Sequence, residues 1–111
     1  MESIALSDRE VTEAVDGVYL AQLVAGERMS IQHFHIEPGV TVPEHSHEHE
    51  QTGFVYGGTL TIIVDGEEFT IEQDDSYAIP SDEPHAAENR TDTPVRGVDI
   101  FSPPRLGVPW K

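Results

Sequence analysis

Apolar and polar residues alternate along this chain in short runs, each stopped by glycine, proline or a polar cluster. Val18-Tyr19-Leu20-Ala21-Gln22-Leu23-Val24 reads as a strand, Ala25-Gly26-Glu27-Arg28 as a hairpin turn, and Met29 to Ile36 as the returning strand. Pro38-Gly39 ends that strand, and Val40 to Glu44 forms the next, with Pro43 marking an edge or a bend. From Gln51 the alternation is strict: Gln51, Gly53 and Val55 share one face, and Thr52, Phe54 and Tyr56 the other. Gly57-Gly58 turns the chain into Thr59 to Val64. Asp65-Gly66 predicts a tight hairpin back through Glu67 to Ile71, because a type I′ turn needs positive φ at both central positions. Ser76 to Ile79, Pro84 to Glu88 and Val95 to Phe101 complete the strands, with Asn89 to Pro94 as a loop. Ser7-Asp8-Arg9-Glu10 supports only a weak helical turn, so residues 1–17 read as an N-terminal arm and 18–111 as a single domain. Eight or nine short strands with almost no helix predict an all-β sandwich or barrel.

Composition narrows the function classes. The 111 residues carry 21 acidic and 6 basic side chains, a formal net charge of −15, and the only lysine is Lys111. Such a surface repels nucleic acid and anionic membranes, so neither is an expected partner. A lysine-poor acidic surface resembles that of proteins from salt-accumulating halophiles; an acidic protein from an ordinary environment is the alternative. No apolar run approaches the roughly 18 residues of a membrane span and no signal-peptide pattern opens the chain, so the expected location is cytoplasmic. With no cysteine, disulfides, thiolate zinc sites and cysteine nucleophiles are excluded.

Candidate chemistry concentrates in His45-Ser46-His47-Glu48-His49-Glu50-Gln51. On an extended strand, residues two apart point the same way, so His45 and His47 can present two imidazoles to one point. Gln51 can add an oxygen, and His85 a third nitrogen from elsewhere in the chain. Imidazole with one oxygen donor suits Zn, Ni, Fe or Cu better than Mg or Ca. A solvated acidic loop that happens to hold histidine is the bland alternative. His33 and His35 also share a strand face, but without further donors nearby they read as structural.

Two segments together resemble the cupin superfamily. Its first motif is a glycine, five residues, His-x-His, three or four residues, Glu, six residues and a glycine; Gly39, His45, His47, Gln51 and Gly58 keep that spacing, with Gln51 in place of Glu. In the second motif Pro80, His85 and Asn89 match, while Asp74 and Asp82 replace two glycines. The resemblance implies a double-stranded β-helix (jelly-roll) barrel holding one divalent transition metal (Zn, Ni, Fe or Mn) through His45, His47, Gln51 and His85. It also implies a homodimer. A carboxamide at Gln51 leaves the metal more electrophilic than a carboxylate would. It also removes the two-histidine, one-carboxylate face of oxygen-activating iron sites, which ranks Lewis-acid chemistry above oxygenase chemistry.

A second resemblance comes from Asp99-Ile100-Phe101-Ser102-Pro103-Pro104-Arg105, which, with the histidine cluster, is similar to the small cupins of pectin and alginate breakdown. Those proteins open the ring of unsaturated uronates. The resemblance implies a small-molecule substrate, a uronate or related sugar acid. Asp99 would move the proton, Phe101 would wall the pocket and Arg105 would take the carboxylate bidentately. The competing reading of these three residues is a core phenylalanine beside a surface Asp–Arg pair. Two other functions remain open: a non-catalytic sensor using the same pocket, and an iron-dependent dioxygenase.

Overall fold

The computed structural model describes residues 1–106, and the last five positions, Lys111 included, lie outside the described residues. Ten strands follow one 3-10 turn at Leu6–Asp8: β1 (Thr12–Val15), β2 (Val18–Ala25), β3 (Ser30–Ile36), β4 (Thr41–His45), β5 (Glu50–Gly57), β6 (Leu60–Val64), β7 (Glu67–Ile71), β8 (Ser76–Ile79), β9 (His85–Glu88) and β10 (Val95–Ser102). They form two antiparallel sheets, one ordered β1-β2-β3-β10-β5-β8 and the other β4-β9-β6-β7. This is the all-β architecture expected from the strand pattern and the jelly roll that the cupin resemblance implies. The last strand, β10, sits between β3 and β5 in the middle of the larger sheet. Each of the two motif segments has one strand in each sheet, β4 and β5 for the first and β8 and β9 for the second, and the two meet in the β4–β9 pair.

The inward set of each strand fills the space between the sheets. On β5, Gln51, Gly53 and Val55 are buried while Thr52, Phe54 and Tyr56 are exposed, as the alternation requires. Val18, Leu20, Phe34, Ile36, Val55 and Val95 from the larger sheet pack on Val42, Leu60 and Ile62 from the smaller one. Ala14 joins that cluster, because β1 pairs with the edge of β2. Part of the segment expected as an arm is thus stitched into the sheet.

Turn chemistry matches the strand layout. Asp65 and Gly66 both have positive φ, 51° and 77°, and join β6 to β7 as a two-residue hairpin. Asp74 and Asp82, which stand where the family pattern has glycine, also adopt positive φ, 72° and 64°. Aspartate tolerates this left-handed region better than most residues. Each puts its backbone N–H to use: Asp74 donates to the Val55 carbonyl and Asp82 to the His47 carbonyl, both at 2.7 Å. The turns survive the loss of glycine, and the second one ties the loop before β9 to the histidine segment.

Candidate metal centre

His45 is the last residue of β4 and His85 the first of β9, and the two are direct partners in the β4–β9 ladder. His47 lies beyond the end of β4, in the loop to β5. The strand parity expected to align His45 with His47 therefore does not operate. Instead His47 is aimed by two local bonds: its Nδ1 lies 2.9 Å from the His49 carbonyl, and its own carbonyl accepts the Asp82 N–H. The result is the expected grouping by another route. One ring nitrogen from each of His45, His47 and His85 lies within 4.8 Å of the others.

The tautomers follow from the partners. His45 Nδ1 faces the Pro43 carbonyl at 2.9 Å, His47 Nδ1 the His49 carbonyl, and His85 Nδ1 the Glu83 carbonyl at 2.8 Å. A carbonyl only accepts, so each neutral ring carries its hydrogen on Nδ1 and keeps a lone pair on Nε2. Burial lowers the pKa of His45 to about 4 and that of His47 below the usual imidazole value, which favours the neutral, ligating form. His85 keeps only 5% of its exposure, and its Nε2 has no hydrogen-bond partner among the described residues. A buried orphan acceptor beside two further lone pairs fits a divalent transition metal. Gln51, also buried, is the second residue of β5 and has its Oε1 3.1 Å from His47 Nε2.

His45 and His85 look into a cavity of about 70 Å³, enough for about two waters, and His47 stands beside them at its edge against Gln51 and Phe101. Asp99, Phe101 and Arg105 line it together with Gln51 and Tyr77, over an apolar floor that includes Leu20 and Phe34. Phe101 is fully buried and meets His47 edge-on, ring centroids 5.6 Å apart. The Arg105 guanidinium stacks on the Phe101 ring at 4.0 Å. Its NH2 reaches Gln32 at 3.4 Å, while Nε is buried without a hydrogen-bond acceptor among the described residues. The Arg105 backbone is clamped from both sides by the Ser30 hydroxyl, which accepts its N–H at 2.9 Å and donates to its carbonyl at 3.3 Å. Burial raises the Asp99 pKa, opposed by hydrogen bonds from Tyr77 and Gln51 and by the Arg105 charge. The surface-pair alternative for Asp99 and Arg105 does not describe their placement, since both open into the cavity.

Tyr77 lines the pocket without having stood out in the sequence. Its hydroxyl donates to Asp99 Oδ1 at 2.5 Å, and burial, with Asp99 alongside, pushes its pKa well above the usual phenol value. Tyr56, by contrast, faces out of the barrel, where its hydroxyl lies 2.6 Å from His33 Nε2. His35 is bonded to Arg96 and Glu37. Neither strand histidine joins the three-histidine group. His49 packs edge-on against His47 and Phe101.

Comparison with known proteins agrees with this layout. A family model described as a cupin domain matches residues 32–101. A tetracenomycin polyketide synthase protein, TcmJ of Streptomyces glaucescens, is 34% identical over 80 residues, covering 68% of this chain and 54% of the relative. The chain thus spans about half the length of that relative. Among solved structures, KdgF from a Halomonas species superposes with a TM-score of 0.86 at 20% identity, over 95% of this chain and 96% of that one. The polyketide cyclase RemF from Streptomyces resistomycificus gives 0.80 at 20% identity, over 99% and 90%.

Proposed function

The chain belongs to the cupin family, and on that premise we propose that it is a metal-dependent enzyme that opens the ring of an unsaturated uronate or a related sugar acid. The observation that carries this reading is that the cavity is lined by His45 and His85 of a three-histidine group, by Gln51, by a carboxyl whose pKa burial raises, and by a guanidinium with an unpaired Nε. His45, His47, Gln51 and His85 would hold the metal. When bound, the metal supplies Lewis acidity to a coordinated hydroxyl or carbonyl oxygen.

The remaining work falls to the protein's own side chains. Arg105, pressed against Phe101, offers its free N–H donors to the substrate carboxylate. Asp99, whose pKa is raised by burial, accepts the hemiacetal proton as the ring C–O bond opens. It returns a proton to the enol carbon, so the reaction is an isomerisation with no net proton change. Phe101 and the apolar floor keep bulk water from the open-chain product. The cavity takes the reacting end of such a substrate, with the rest at the barrel mouth. The test is turnover of a purified unsaturated uronate by the metal-loaded protein, followed through loss of the conjugated alkene absorbance.

A second reading is a cyclase acting on a polyketide, favoured by the 34% identity to a polyketide synthase protein. It predicts that removing the Arg105 charge leaves activity on an uncharged polyketide intact.

A further inference from the structure

Gln51 stands between two groups that compete for the same end of its amide. His47 carries its hydrogen on Nδ1, so Nε2 presents a lone pair that would favour the amide NH2. The Asp99 carboxyl is an acceptor as well: it stands diagonal to Gln51 on the β5–β10 ladder, lines the same cavity, and has its pKa held down by the Gln51 amide. Gln51 Oε1 is left 3.1 Å from His47 Nε2, two lone pairs facing each other. A cation among the three histidine nitrogens, which lie within 4.8 Å of one another, would take both lone pairs.

Asp99 is itself held in place. Asp99, Gly53 and Tyr77 lie in one row across β10, β5 and β8. Tyr77 reaches over Gly53 to donate to Asp99 Oδ1. It can do so because position 53 has no side chain: a Cβ there would stand 2.1 Å from Tyr77 Cζ. Gly53 thus has a steric reason for being glycine that its place in a regular strand does not supply.

We propose that Asp99, fixed by Tyr77 across Gly53, is a positioning residue that turns the Gln51 carbonyl oxygen toward the three histidines and completes the donor set for a divalent cation. This rests on the metal-centre part of the function proposed above and not on the substrate. Gln51 is then matched to Asp99: an amide satisfies the carboxylate with one end and the cation with the other, whereas a glutamate would set two carboxylates side by side.

The test is a competition titration of metal-free protein with Zn²⁺ against a chromophoric chelator. Asp99→Ala is expected to weaken Zn²⁺ binding by about tenfold or more, the range for a lost outer-shell partner. Tyr77→Phe, which changes no charge, is expected to weaken it severalfold. Loss of a negative charge near the cation would also weaken binding, so a double-mutant cycle decides between charge and position. In a Gln51→Leu background, Asp99→Ala is expected to change the affinity by less than about twofold. An equal loss in both backgrounds, or wild-type affinity in Asp99→Ala, overturns the inference while the metal centre stands. Wild-type protein that binds no Zn²⁺ overturns both. Uronate turnover plays no part in the outcome, so failure of the substrate reading remains separate.

Discussion

His45 and His85 stand opposite each other on the β4–β9 ladder, with ring centroids 4.3 Å apart. One comes from each of the two motif segments, so ladder pairing in the smaller sheet creates the site. His47 joins them from the adjoining loop, its ring 5.2 Å from that of His85. Three imidazoles crowded this closely have consequences for pH, metal and stability.

The first concerns protons. His45 has a folded-state pKa of about 4, against about 6.5 for an unperturbed imidazole. As pH falls from about 6.5 to about 4, the unfolded chain takes up a proton that folded His45 refuses. The folded state therefore loses stability across that window and loses none above it. In metal-free protein, the melting temperature of wild type minus that of His45→Asn should fall as pH is lowered through this range. A difference that is flat in pH contradicts the burial of His45.

The second concerns catalysis. Arg105→Ala should mainly raise KM for a uronate, while Asp99→Asn should mainly lower kcat. Asparagine keeps an oxygen that accepts from Gln51, so at saturating metal both variants should stay loaded. Steady-state kinetics with metal content measured on the same samples checks the split. Equal effects of both variants on KM alone would remove Asp99 from the proton step.

Sheet layout was legible in the sequence because alternation and turn residues act locally: Gln51, Gly53 and Val55 turn inward on β5 as their parity requires. The grouping of His45, His47 and His85 was legible too, because spacing survives even where Asp74 and Asp82 replace glycine. What the sequence misassigned was the cause of the grouping. His47 is aimed by loop hydrogen bonds, and nothing in its parity with His45 reveals that. The role of Tyr77 was hidden for a different reason. It depends on a missing side chain at Gly53, on the strand between Tyr77 and Asp99, a nonlocal fact until the β10–β5–β8 register is known. Arg105 lies past the last strand, and the Ser30 clamp on β3 together with the Phe101 ring fixes where its side chain enters.

The third prediction follows from charge. Twenty-one acidic and six basic groups on a small barrel oppose its compact state by mutual repulsion. Salt shortens the reach of that repulsion, from a Debye length of about 10 Å at 0.1 M to about 3 Å at 1 M. The exposed Arg90–Glu68 and Arg90–Glu88 pairs weaken under the same screening, but they are few and contribute little. The melting temperature of metal-free protein should rise from low salt to molar KCl, and bound metal should flatten that rise. A midpoint that falls in KCl would make the acidity incidental and remove the halophile reading.

The central claim is a metal held by His45, His47 and His85 with Gln51, and the most direct measurement is metal stoichiometry in purified protein and three variants. Wild type and His33→Ala should each carry about one divalent transition-metal ion per chain, because His33 is bonded to Tyr56 on the outer face. His47→Ala and His85→Ala should carry none, since each removes one nitrogen from a set of three. Metal lost in His33→Ala and retained in His85→Ala would contradict the account.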